Sequence, residues 1–232
     1  MKKFFLASVA LLFLSSVLAL AQTPYTMEPT DAPAELPKAL SALLNPKGIR
    51  LLQAKNGAPT IVCEVWWAKS VDTHTSTSKT SSPYEGLATG ALVGVLRFVE
   101  EGEDSRDQKM QAGFYTLRYA KVEADPEHSD NGAPQDAVLA SPLWADKHPE
   151  QVLKLDELLR VSRLSAKTKK PVVINLMPVN PAYTEMPALI TDDQGDCMVQ
   201  VKIQLKAAAK AKPAEMPVSI LLVTPIREDG ES

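Results

Sequence analysis

The chain has 232 residues, 45% of them hydrophobic, and a formal net charge of -3. Such a length fits one domain with short flanking segments, and the apolar fraction is enough to build a core. The mild charge, without a basic patch carrying interleaved aromatics, excludes nucleic acid as a partner.

Lys2 and Lys3 open the chain and a mostly apolar run follows from Phe4 to Leu20. Ala19-Leu20-Ala21 has the small-x-small form of a cleavage site, so residues 1–21 read as a secretory signal peptide with Gln22 as the first mature residue. The run is short for a membrane anchor, and no cysteine follows it to carry a lipid. The expected location is periplasmic or secreted, with no membrane association after cleavage.

Residues 22–46 are polar and rich in proline and read as an extended leader, with a short helix expected from Pro37 to Leu44. The folded domain is expected over 47–226, with a polar tail at 227–232. Ile49–Ala54 and Thr60–Trp67 are strand candidates around the Asn56-Gly57 turn signal. On the second, Trp66 and Trp67 point to opposite faces; a strand covered on both sides would bury both. Ser70–Ser82 is rich in Ser and Thr and reads as a mobile loop.

Leu92–Val99 and Phe114–Lys121 alternate or run apolar and read as the central hairpin. The intervening EEGEDSRDQK is expected to be solvated and mobile. After a loop at Glu123–Gln135, Ala137–Leu143 is a short strand. Leu155, Leu158, Leu159 and Ser162 recur at helical spacing, which predicts a helix over about Asp156–Ala166. Strand signals return at Pro171–Val179, Cys197–Leu205 and Val218–Thr224, the second with Cys197, Val199, Val201, Ile203 and Leu205 inward. These elements predict a mainly β protein: an antiparallel β-sandwich of about eight strands with one helix in a late insertion.

No P-loop, dinucleotide-binding glycine pattern, G-x-S-x-G or H-E-x-x-H is present, and no catalytic set assembles from the sequence. His74, His128 and His148 each have an aspartate two residues away, at Asp72, Asp130 and Asp146. Imidazole with carboxylate is a ligand set for zinc or copper. His128 stands out because Asp125, Glu127 and Asp130 share its loop, so His128, Asp130 and Asp125 are the candidate ligands for a divalent metal, the one cofactor considered. An Asx-rich surface turn explains the same residues. Trp66 and Trp67 are candidate ligand-binding residues if exposed, through stacking on a sugar. Cys63 and Cys197 are the two cysteines of a chain read as exported, each on the apolar face of its strand, and a disulfide between them is predicted. Two buried free thiols are the alternative.

VGVLRF at 93–98, QAGFYTLRYAKV at 111–122, His128 near Gly132-Ala133-Pro134, AVLASPLWAD at 137–146 and LDELLRVSR at 155–163 form a series. It resembles a group of secreted bacterial proteins of unknown function. The resemblance spans Leu92 to Ser165, implies one family domain and carries no activity.

The reading that follows is an exported, non-catalytic binding or interaction domain with a protein or glycan partner. Its rivals are a metal-binding or metal-dependent protein built around His128 and a carbohydrate-binding module using exposed tryptophan.

Overall fold

The computed structural model describes residues 25–55, 57–74, 82–123, 135–206 and 214–224. The signal-peptide and tail expectations lie outside them, as does the candidate metal loop. The elements in chain order are β1 (Tyr25–Asp31), α1 (Lys38–Ser41), β2 (Lys47–Lys55), β3 (Ala58–Trp67), β4 (Leu92–Phe98), β5 (Gly102–Glu103), β6 (Lys109–Met110), β7 (Gly113–Val122), β8 (Gln135–Pro142), α2 (Leu155–Ser162), β9 (Val172–Met177), β10 (Ala188–Thr191), β11 (Cys197–Leu205) and β12 (Ala214–Val223).

The protein is mainly β, as predicted, but its architecture differs from a sandwich of eight strands. Ten strands form one antiparallel sheet in the order β1-β2-β3-β4-β7-β8-β9-β12-β11-β10, nearly closed into a barrel. The two terminal strands, β1 and β10, leave a seam. Two of these ten lie outside the expected strands: β1 within the Pro-rich leader, and the four-residue β10. Proline is compatible with β1 because an edge strand has one side on which no backbone N–H is needed.

Strand parity places Cys63, Val65 and Trp67 of β3, Leu96 of β4, Tyr115 and Leu117 of β7, Val138 of β8, Ile174 of β9, Ile220 of β12 and Val199 and Val201 of β11 inside. All are buried in one core cluster. The outer face is covered too. Leu153 and Leu158 lie against Ala120, Val122, Leu139 and Val173 outside β7, β8 and β9. β4 runs apolar on both faces because both are buried, while the buried outer face of β7 carries Thr116 and Arg118.

The polar loop between β4 and β7 is anchored, contrary to the expectation of mobility. Asp104 is 3% exposed and its carboxylate accepts hydrogen bonds from the amides of Arg106, Gln108 and Val173, each at 2.9 Å, and from Gln108 Nε2 at 2.8 Å. Ser105 N donates to the Val173 carbonyl at 2.8 Å, and Ser105 Oγ accepts from Asn175 N at 2.9 Å. β9 and β12 are paired in register only at Ser219–Met177 and Ile220–Leu176. The loop therefore satisfies the backbone of β9 where β12 diverges from it. Tyr84 serves the same junction: its hydroxyl donates to the Met177 carbonyl at 2.6 Å and accepts from Ser219 N at 3.1 Å.

The predicted disulfide is absent. Cys63 and Cys197 are free buried thiols that stand apart. Both face the interior, but β3 and β11 are not neighbours in the sheet, and parity fixes a face without fixing a separation. Burial pushes the Cys63 thiol far up and Cys197 up to about 12.

Candidate functional site at the barrel seam

A cleft of about 440 Å³ opens where the sheet fails to close. Met27, Glu28 and Pro29 of β1, Lys47, Gly48 and Ile49 of β2, and Trp67 of β3 form one wall; Val201 and Lys202 of β11, with Met186 and Pro187, form the other. The volume falls in the range of ligand sites. Its floor is apolar, and two methionines give it walls that can adapt in shape.

Trp67 lies in this floor. It is 7% exposed, and its Nε1 is buried without an acceptor among the described residues. A buried indole N–H usually finds one. Gly48 lets the wall approach closely: a Cβ there would collide with the Val65 carbonyl and the Trp66 ring. At the mouth, Lys47 pairs with Asp31 at 2.7 Å and Glu28 with Arg50 at 3.2 Å. Lys202 is exposed and has no ion pair among the described residues.

The backbone of the two walls follows from neighbouring bonds. Ala32 N donates to the Pro46 carbonyl at 2.9 Å, so even-numbered residues of β1 turn their amides to β2 and odd-numbered ones turn to the seam. Met27 and Pro29 thus face the seam with their backbone polar groups. On β11, Val71 N donates to the Gln204 carbonyl at 2.9 Å and Lys206 N donates to the Val71 carbonyl at 2.8 Å. Even-numbered residues of β11 therefore face the seam, and Lys202 is one of them. Its register partner across β12 is Pro217, which has no N–H to give.

Of the sequence-predicted site residues, Trp66 and Trp67 are both buried, at 1% and 7% exposure. Neither offers an open ring for stacking, so the exposure that a sugar-stacking role requires is not met, and β3 buries both tryptophans as a strand covered on both sides does. Trp66 lies on the outer face beside Phe114, ring centroids 6.4 Å apart. The exposed tryptophan is Trp144, at 69%. His128, Asp130 and Asp125 lie outside the described residues. His74 is exposed. His148 is also exposed, 3.5 Å from Glu150, while Asp146 is committed to Arg118. No group of three metal-ligating side chains occurs among the described residues. The seam residues Met27, Pro29 and Lys202 were not marked as site candidates by the sequence. The readable trace was Pro29 and Pro217, prolines in strands that cannot be hydrogen-bonded on both sides.

No family model, no curated protein and no solved structure matches this chain.

Proposed function

We propose that this chain is an exported, non-catalytic binding module whose ligand occupies the seam cleft. The observation that carries this reading is the seam cleft itself, apolar, of ligand size and with Trp67 in its lining. The described residues lining it supply shape and an apolar floor, and no nucleophile–base pair. Export rests on the signal grammar of residues 1–21. N-terminal sequencing of the secreted product should return Gln22; recovery of Met1 would remove the export argument.

The binding test uses 1-aminoanthracene, a small flat fluorophore with one amine, as the probe. Saturable binding to wild type is expected, lost in Met27→Trp, which fills the cleft from its rim. Circular dichroism checks that this variant folds. Unsaturable binding, or equal binding by the two proteins, would overturn the site.

A further inference from the structure

The seam edge of β11 is occupied in two places. β10 pairs with it from Cys197 to Gln200, and Val71 bridges it at Leu205. Between them, on that edge, Val201 to Ile203 have no strand beside them among the described residues. The gap lies in line with β10, because the chain enters β10 only at Ala188, after Met186 and Pro187. Lys202 directs its N–H and C=O into the gap, where neither has a partner among the described residues. Across the cleft, Met27 presents an N–H and a C=O and Pro29 a C=O.

From this geometry we infer that the seam takes an extended peptide of another polypeptide, which adds as a short strand beside Lys202 and completes the barrel. The inference rests on the seam cleft being a binding site and names the class of its ligand. Donors and acceptors without a partner among the described residues stand on both walls, and a peptide in β conformation carries alternating donors and acceptors along both of its edges. A small apolar molecule would leave the Lys202 amide unpaired. Three residues of strand span roughly 10 Å, which matches the three-residue gap. Side chains alternate in direction and opposite residues share a face, so the residue beside Lys202 faces outward and its two neighbours, beside Val201 and Ile203, face the floor of Ile49, Trp67 and Val201. The floor selects apolar residues, and the unpaired lysine selects an acidic one.

The probe is a labelled heptapeptide of alternating leucine and glutamate, acetylated and amidated, read by fluorescence anisotropy. Wild type and Lys202→Ala should both bind it, the latter more weakly through the lost charge. Lys202→Pro should bind at least about ten-fold more weakly than Lys202→Ala, because it also deletes the seam-facing N–H. The substitution leaves the β11–β12 bonds in place, since that N–H points away from β12. A second arm does not depend on the variant folding: a heptapeptide N-methylated at its central amides should lose binding to wild type. Equal binding by the proline and alanine variants, or by the methylated and plain peptides, would overturn strand addition. So would absence of peptide binding while 1-aminoanthracene still binds, an outcome that leaves the cleft standing as a small-molecule site. Absence of both removes the two readings together. A concentration-dependent dimer abolished by Lys202→Pro, with no peptide binding, would place a second copy of this chain in the gap and overturn the inference as well.

Discussion

Arg118 and Asp146 form a two-pronged ion pair closed off from solvent. Arg118 Nε donates to Asp146 Oδ2 at 2.7 Å and Nη2 to Oδ1 at 3.0 Å, with the side chains 0% and 1% exposed. The guanidinium also donates to the carbonyls of Gly90 and Gln151 at 2.7 Å and of His148 at 3.1 Å. Thr116 Oγ1 donates to Asp146 Oδ2 at 2.6 Å. Every donor of the arginine is directed, so this is a pin and not a site. It fastens the segment between β8 and α2 to the outer face of β7, opposite the cleft-bearing part of the barrel.

Asp146→Asn should therefore destabilise the protein by about 3–5 kcal/mol, because it leaves a buried guanidinium without its counter-charge. An Arg118→Met, Asp146→Leu double variant should lose less than the sum of the two single changes. Urea denaturation of wild type, Asp146→Asn, Arg118→Met, Asp146→Leu and the double variant measures this. Additive losses would show that the two side chains do not act as a pair.

Asp104 holds the β4–β7 loop, and its removal should free the loop. Asp104→Ala deletes the acceptor for three backbone amides and one side-chain amide, with an expected cost of about 2–4 kcal/mol. In wild type, limited proteolysis should spare residues 101–109; in the variant it should cut there first. Early cutting of this loop in wild type would contradict the anchoring.

That loop shows where local sequence stops being informative. EEGEDSRDQK has the composition of a solvated hairpin tip, and local composition cannot tell that β9 needs its Val173 and Asn175 backbone groups covered. Strands with strong alternation were legible: Cys197–Leu205 has the expected limits, and Leu158 of α2 is buried as its spacing predicts. β1 was not, since its prolines suit a leader as well as an edge strand. Closure into a barrel was not legible either. It depends on pairings between strands far apart in the chain, such as Ser219 with Met177. The cleft is harder still, because it is defined by backbone groups that no strand reaches.

The two cysteines should behave as shielded free thiols. Denatured, unreduced protein should show two reactive thiols, and native protein at neutral pH none, because burial raises both. The raised values also set a sign. The folded thiols hold their protons more tightly than unfolded ones, so their contribution to stability is complete below the unfolded value of ~8.5 and declines as pH rises toward about 12 for Cys197. A Cys63→Ala, Cys197→Ala protein should lose stability less steeply with pH over that window. Four tyrosines are also raised by burial and keep part of the slope in the variant. Identical slopes would contradict the thiol contribution.

Glu64 should matter more to the cleft than its distance from the floor suggests. Register aligns Glu28, Arg50, Glu64, Arg97 and Phe114 across β1, β2, β3, β4 and β7 on the outer face. Glu64 is 2% exposed and accepts from Arg50 Nε at 2.8 Å and Arg97 Nη1 at 3.1 Å. Arg97 in turn lies 5.2 Å above the Phe114 ring. Thr30 and Glu28 tie β1 to this row through Arg50, at 3.3 and 3.2 Å, and β1 is the cleft wall. Glu64→Gln keeps the shape and removes the charge between two arginines. Because both arginines are about one-third exposed and can rehydrate, the cost should be about 1–3 kcal/mol, below that of a fully buried unpaired charge. Glu28→Gln, at a carboxylate 47% exposed, should cost under about 1 kcal/mol and should vanish in high salt, while the Glu64 effect persists. Amide hydrogen exchange adds the local readout: Glu64→Gln should speed exchange at Thr26, Glu28 and Thr30, the β1 amides that face β2, before the rest of the sheet responds. Equal costs for the two substitutions, or unchanged exchange along β1, would mean that the charge row does not hold the cleft wall in place.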